Sequence, residues 1–212
     1  WLDAGLMRLA SEVLLAICLA QMWNLLAGYG GLMSLGHQLF IGVGAYALFD
    51  LAQRTGVSPY GLLPLTALAG ALCAALIAPA LFRLREAYFA IGIWVMAEVV
   101  LLLVTKTPAL GGNAGLTLDM SALEDIERFG QMSFWLACAL GIASVAGLQL
   151  LMRSRLGLAM TAVRDNEVAA RSVGIDVQRV RLVAFVISGG MSALAGAVYF
   201  MGGMFLAPSA AF

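Results

Sequence analysis

The chain has 212 residues, of which 62% are hydrophobic and 11% charged, and its 12 basic and 12 acidic side chains give a formal net charge of zero. Soluble domains are about 45–50% apolar and about 25% charged, and a globule of this size has too little interior to hide the surplus. The balance excludes a disordered chain, a secreted disulfide scaffold and a basic nucleic-acid binder, and indicates an integral membrane protein.

Residues 13–49 contain no Asp, Glu, Lys or Arg, nearly enough for two crossings at roughly 20 apolar residues each. Helices are expected over 9–27 and 35–49. The join carries Gly28, Gly30, Gly31 and Gly36, with Asn24, Ser34, His37 and Gln38 among and around them. Irregular backbone at membrane depth persists only where protein or a water-filled cavity satisfies its polar groups. Two readings follow: a glycine-broken pair of crossings with the N-terminus outside, or a re-entrant segment that moves the N-terminus to the other side. Broken helices recur on substrate pathways, which makes Asn24, Gly30, Gly31, Ser34, Gly36, His37 and Gln38 pathway candidates. Close helix packing through small residues is the simpler alternative.

Residues 60–82 form the next charge-free run and end at Arg83 and Arg85. The run 87–105 is interrupted only by Glu98. A carboxyl group at that depth is costly and generally faces the bundle interior or a cavity. Glu98 is therefore either a pathway group or a hydrogen-bonded structural residue at a helix contact. The loop 106–128 holds Asp119, Glu124, Asp125 and Glu127 against Lys106 and Arg128.

After a further apolar run, 129–152, the segment 153–181 carries Arg153, Arg155, Arg164, Arg171, Arg179 and Arg181 against Asp165, Glu167 and Asp176. The positive-inside rule makes this segment and 83–86 cytoplasmic and the 106–128 loop external. Asp165 or Asn166 can cap a short helix through Val168, Ala169, Ala170 and Arg171, with Gly174 suited to its left-handed stop. Asp176 is placed to cap the last span, with Ile175 and Val180 as its hydrophobic staple. A run over 182–212 completes about six spans. The expected fold is all-α: one polytopic transmembrane bundle over 1–212, with one glycine-broken or re-entrant segment and a cytoplasmic loop at 153–181.

Cys18, Cys73 and Cys138 each fall inside a span without metal-site spacing, and serve as small packing residues. Lys106 is the one lysine and follows no phosphate-binding loop, so this chain does not bind ATP in the usual way. There is no nucleophile–base or metal constellation, so no enzyme and no cofactor is expected. A gradient-building role would draw its energy from another chain or from an ion, with Glu98 as the proton site in the second case.

Several stretches together resemble the membrane subunits of ATP-binding-cassette importers for branched-chain amino acids, the M-type (LivM-like) more than the H-type. They are Asn24-Leu-Leu-Ala-Gly-Tyr-Gly-Gly-Leu-Met-Ser-Leu-Gly-His37, Phe40-Ile-Gly-Val-Gly-Ala-Tyr46, Tyr88-Phe-Ala90 and Gly111-Gly112-Asn113-Ala114-Gly115-Leu116. The strongest begins at Ser154-Arg-Leu-Gly157 and runs through Ala162-Val-Arg-Asp-Asn-Glu-Val-Ala-Ala-Arg-Ser-Val-Gly-Ile175 to Ala184-Phe-Val-Ile-Ser188 and Ala195-Gly196.

The resemblance implies a multi-pass subunit of the bacterial inner membrane. Its implied partners are a second, H-type permease, two ATPase subunits that bind the ATP, a periplasmic binding protein and an amino-acid substrate; urea or short amides are the alternative cargo. It also implies a coupling helix over 162–175 that fits a groove on the ATPase. Ala169, Ala170 and Gly174 would permit close approach, Arg164, Asn166 and Arg171 would make polar contacts, and Ala162, Asp165 and Ile175 complete the implied coupling set. Family members usually extend further at both ends, so the chain is expected to be a fragment.

Overall fold

The computed structural model describes residues 4–84, 87–118 and 126–212; Arg85, Asp119, Glu124 and Asp125 lie outside the described residues. The chain order is α1 (Ala4–Asn24), α2 (Gln38–Thr55), α3 (Pro59–Leu81), α4 (Ala87–Lys106), β1 (Leu116–Thr117), α5 (Ile126–Met152), α6 (Arg155–Asp165), α7 (Glu167–Ser172), α8 (Val177–Gly203), β2 (Phe205–Leu206) and α9 (Pro208–Ala211). The fold is an all-α bundle. Its described β structure is the two-residue antiparallel pair β1–β2, with Leu116 opposite Leu206.

Among the described residues, five helices are long and apolar enough to cross a membrane: α1 with its extension to Tyr29, α3, α4, α5 and α8. The sixth long helix, α2, has 18 residues and carries Asp50 and Arg54, paired at 2.8 Å. It is therefore less apolar than the others, and it earns its place by burial: Leu39, Phe40, Leu48 and Phe49 are fully enclosed.

The centre is α8. Over its most apolar stretch 56% of residues are buried, against 28–33% for the other four spans. Its middle reads Ser188-Gly-Gly-Met-Ser-Ala-Leu-Ala-Gly196, and small residues let membrane helices approach backbone to backbone. A side chain at Gly44 of α2 would collide with the Ala193 carbonyl, and one at Gly70 of α3 with Ala193 and Gly189. Pairing of Phe40 with Phe185 and of Gly44 with Ala193 makes α2 parallel to α8; pairing of Ala74 with Gly189 and Gly70 with Ala193 makes α3 antiparallel to it.

On the other side, α1 packs on α5. Gly141 meets Leu14, while Gln21 and Asn24 lie beside Leu148 and Gln149, so these two helices run the same way. Because α5 and α8 are antiparallel neighbours through α6–α7, α1 descends toward that loop and α2 climbs away from it. The glycine-rich join is thus a turn between two oppositely directed helices and not a re-entrant loop. The first described turn of α1 lies at the end opposite α6–α7.

Apolar burial forms two principal layers. One holds Phe49, Leu116, Phe129, Met201 and Leu206 toward the β1–β2 end; the other holds Leu25, Phe40, Phe89, Met160 and Phe185 toward the α6–α7 end. In the second, Phe40, Phe82 and Phe89 surround Phe185 at ring distances of 5.3, 5.7 and 6.0 Å, at steep interplanar angles favoured by the ring quadrupoles. Past β2 the chain turns inward through α9, and Phe212 stacks on Tyr46 at 5.7 Å beside Gly42.

Candidate functional site

Two features predicted from sequence, the break between α1 and α2 and the α6–α7 segment, meet at one end of the bundle. After Asn24 the first helix widens into a π turn, Leu25–Tyr29, and Gly30 N–H donates to the Leu25 carbonyl at 3.0 Å. Leu32 N–H donates to Leu26 O at 2.9 Å, after which the chain runs irregularly to α2. Such π turns are rare and concentrate at functional positions. Trp23 Nε1 donates to the Ser34 carbonyl at 2.9 Å, holding the break against the helix it leaves.

Ser34, Gly36 and His37 are brought together in a closed knot. A Cβ at Gly36 would strike the Ile93 carbonyl of α4, so only glycine fits there. Ser188 Oγ of α8 donates to the Met22 carbonyl at 3.1 Å, and its oxygen therefore accepts from His37 Nε2–H at 2.9 Å. That fixes Nδ1 as the acceptor from the Ser34 hydroxyl at 3.0 Å. The neutral ring completes a chain of three hydrogen bonds that joins α1, the break, the start of α2 and α8. Ser34 is 2% exposed and Ser188 fully buried.

Asn24 lies elsewhere. Its side chain folds over Gly28 and lines a cavity of about 470 Å³ between α1 and α5, together with Gln21, Tyr29, Gln149 and Arg153. The sequence signal for Gln21 and Gln149 is only an amide inside an apolar span. Gly30 is buried, Gly31 exposed and Gln38 half-buried. Glu98 stands apart on the outer face of α4, exposed on the same side as Trp94 and Leu102, one turn to each side of it. The candidate pathway residues therefore do not converge: Ser34, Gly36 and His37 form the knot, Asn24 lines the cavity, Gly31 lies against Arg164 and Glu98 is on the α4 surface.

The 153–181 segment departs from the expected single helix over 162–175. Asn166 adopts an extended conformation (φ −156, ψ 102) that ends α6 and begins α7. Three caps then follow in series: Ser154 accepts from Gly157 N–H at 3.4 Å, Asn166 from Ala169 N–H at 3.0 Å, and Asp176 from Arg179 N–H at 3.1 Å. Each satisfies a first-turn donor that has no helical partner. Gly174 stops α7 with φ +88, a left-handed conformation that glycine adopts freely.

Beneath the caps, Val163, Ala170 and Val177 form a small buried cluster with Ala162, Ile175 and Val180 around it. The expected staple between Ile175 and Val180 belongs to this cluster. Ala170 is turned inward, 3% exposed, and so leaves the outer surface to others. That surface is apolar: Val168 is 79% and Val173 76% exposed, beside the exposed Ala169. Neither valine stood out in the sequence, where each reads as an ordinary helix residue.

Several charged side chains of the segment are engaged within the chain. Glu167 binds Arg171 and, at 2.9 Å, Arg181 of α8. Arg164 pairs with Asp165 and donates from Nη1 to the Gly28 carbonyl at 2.9 Å, so this arginine touches the helix break directly.

The family described as the permease component of the branched-chain amino acid transport system matches residues 5–210. The chain belongs to that family. It is 28% identical over 221 residues to the high-affinity branched-chain amino acid transport permease LivM of Escherichia coli strain K12, covering 92% of this chain and 52% of that protein. A probable LivH permease of Methanocaldococcus jannaschii is 26% identical over 164 residues, covering 73% of this chain and 52% of its own. The autoinducer 2 import permease LsrC of Klebsiella pneumoniae is 43% identical over a shorter stretch of 65 residues, 31% of this chain and 18% of LsrC. The chain thus spans about half the length of the LivM protein it matches. These relatives are transport permeases and not enzymes. No solved structure matches the chain.

Proposed function

We propose that the chain forms part of the membrane permease of an ATP-driven importer that carries branched-chain or related amino acids across a bacterial inner membrane. Its α6–α7 segment lies on the cytoplasmic side and docks against a separate ATPase subunit. A second permease chain completes the pathway, and a periplasmic protein delivers the substrate. The observation that carries this reading is the α7 surface: two valines more than three-quarters exposed, on a two-helix loop held stiff by three caps and ringed by arginines. Exposed apolar side chains on a rigid polar loop mark a protein contact. With Ala170 inward, that contact is assigned to Val168, Ala169, Val173 and Gly174, with Arg171 at its rim.

Ionic and apolar docking separate in one experiment. The chain is co-expressed with its ATPase subunits and purified through its own tag, as wild type and as Val168→Asp with Val173→Asp. Retained bundle folding with lost ATPase subunits is expected; full retention of the subunits by the double variant removes the docking assignment. Uptake into vesicles that persists after the proton gradient is collapsed, and stops without ATP, distinguishes this function from an ion-coupled carrier.

A further inference from the structure

The resemblance implies that Arg164 contacts the ATPase; its side chain reaches into the membrane domain. Nη1 donates to the Gly28 carbonyl at 2.9 Å, and the backbone and stem of the arginine lie along Gly31, where an added Cβ would stand 3.4 Å from Arg164 Cγ and 3.6 Å from its Cα. One residue therefore holds both edges of the turn at Gly28–Gly31. The position is also electrostatically apt. The last carbonyls of a helix lack intrahelical partners and carry the negative end of its dipole, and a guanidinium satisfies both. Asp165 fixes the orientation of the fork through contacts to Nε at 2.9 Å and Nη2 at 2.8 Å.

The far side of the same break is tied to α8 by the Ser34–His37–Ser188 chain. Among the described residues, α6 thus has one direct polar contact to the end of α1, through Arg164, while the knot holds the rest of the break against α8. We infer that Arg164 is a positioning residue that carries displacement of the α6–α7 segment into the end of α1, opening or closing the break between α1 and α2. This rests on the reading of α6–α7 as the ATPase contact and adds a role for the residue behind that contact.

The test uses the full chain with its ATPase subunits in lipid nanodiscs and proteoliposomes, comparing Arg164→Gln, Arg164→Lys and wild type. Three quantities are read: ATPase subunits retained, ATP hydrolysed, and amino acid accumulated per ATP. Arg164→Gln is expected to keep the subunits and the hydrolysis while accumulation per ATP falls about tenfold or more, the scale of one lost charge-assisted hydrogen bond. Arg164→Lys, which keeps the charge and one donor, is expected to recover part of the loss. Unchanged accumulation per ATP for Arg164→Gln overturns the inference. So does loss of the ATPase subunits by this variant, which would make Arg164 a docking residue.

Hydrogen exchange on the chain alone supplies a readout independent of any ATPase. Amides of Gly30 and Leu32 should exchange about tenfold faster in Arg164→Gln, and unchanged protection there also overturns the inference. Failure of wild type to bind an ATPase, with the exchange result as expected, would instead count against the proposed function and leave the clamp standing.

Discussion

The knot around His37 yields the most quantitative expectation. His37→Ala removes the bonds to Ser34 and Ser188, and Ser188→Ala removes those to His37 and Met22. A hydrogen bond between membrane-embedded groups contributes about 0.6 kcal/mol on average and about 1.7 kcal/mol at most. Each variant should therefore lose about 1.2 kcal/mol, with a ceiling near 3.4 kcal/mol. The His37–Ser188 bond is counted in both singles, so the double variant should cost less than their sum by about 0.6 kcal/mol and at most about 1.7 kcal/mol. Unfolding in mixed micelles of rising dodecyl sulfate content, followed by tryptophan fluorescence, measures all four corners of the cycle. His37→Gln, whose amide can still meet Ser188, should recover part of the loss. Strict additivity, together with a costless His37→Ala, would refute the knot as a connection between the break and α8.

Gly44→Leu places a side chain on the Ala193 carbonyl and should abolish accumulation of folded protein on size-exclusion chromatography, whereas Gly147→Ala, which meets open space on α5, should be neutral or slightly stabilising. Asn166→Ala removes the cap of α7 at a cost of about 1 kcal/mol, readable as roughly fivefold faster exchange of the Ala169 amide. Glu167→Gln weakens two partly exposed ion pairs, to Arg171 and Arg181; it should cost under about 1 kcal/mol, and that cost should shrink further in high salt.

Most of the spans and the loop chemistry were legible because each rests on local pattern; α2, which carries Asp50 and Arg54, is the expected span that falls short of the others in apolarity. Charge-free runs mark the helices, and Asn166, Gly174 and Asp176 sit where caps and stops belong, which is why the structure returns them in those roles. What the sequence could not carry is rotation about a helix axis. Ala170 and Val168 both look available on a short amphipathic turn, and only the packing of Val163 and Val177 decides which one faces inward. Arg164 reads as one more positive-inside charge until Gly28, far off in the sequence, is placed beside it. His37 looked like a pathway group for the same reason: its partner Ser188 belongs to the last long helix. Glu98 shows the converse, since the expectation that a mid-span carboxyl turns inward is a statement about the whole assembly, and in this chain α4 presents it outward.

The direct backbone contacts along α8 have a mechanical consequence. Where Gly44, Gly70 and Gly189 press main chain to main chain, no flexible side chains lie between the helices to absorb sliding. The α2–α3–α8 group then behaves as one stiff body, and α1 with α5 as a second. The seam between them is crossed near its base by the histidine knot, while the arginine clamp ties α6 to the end of α1. The knot and the clamp both lie at the end of the bundle that carries α6 and α7.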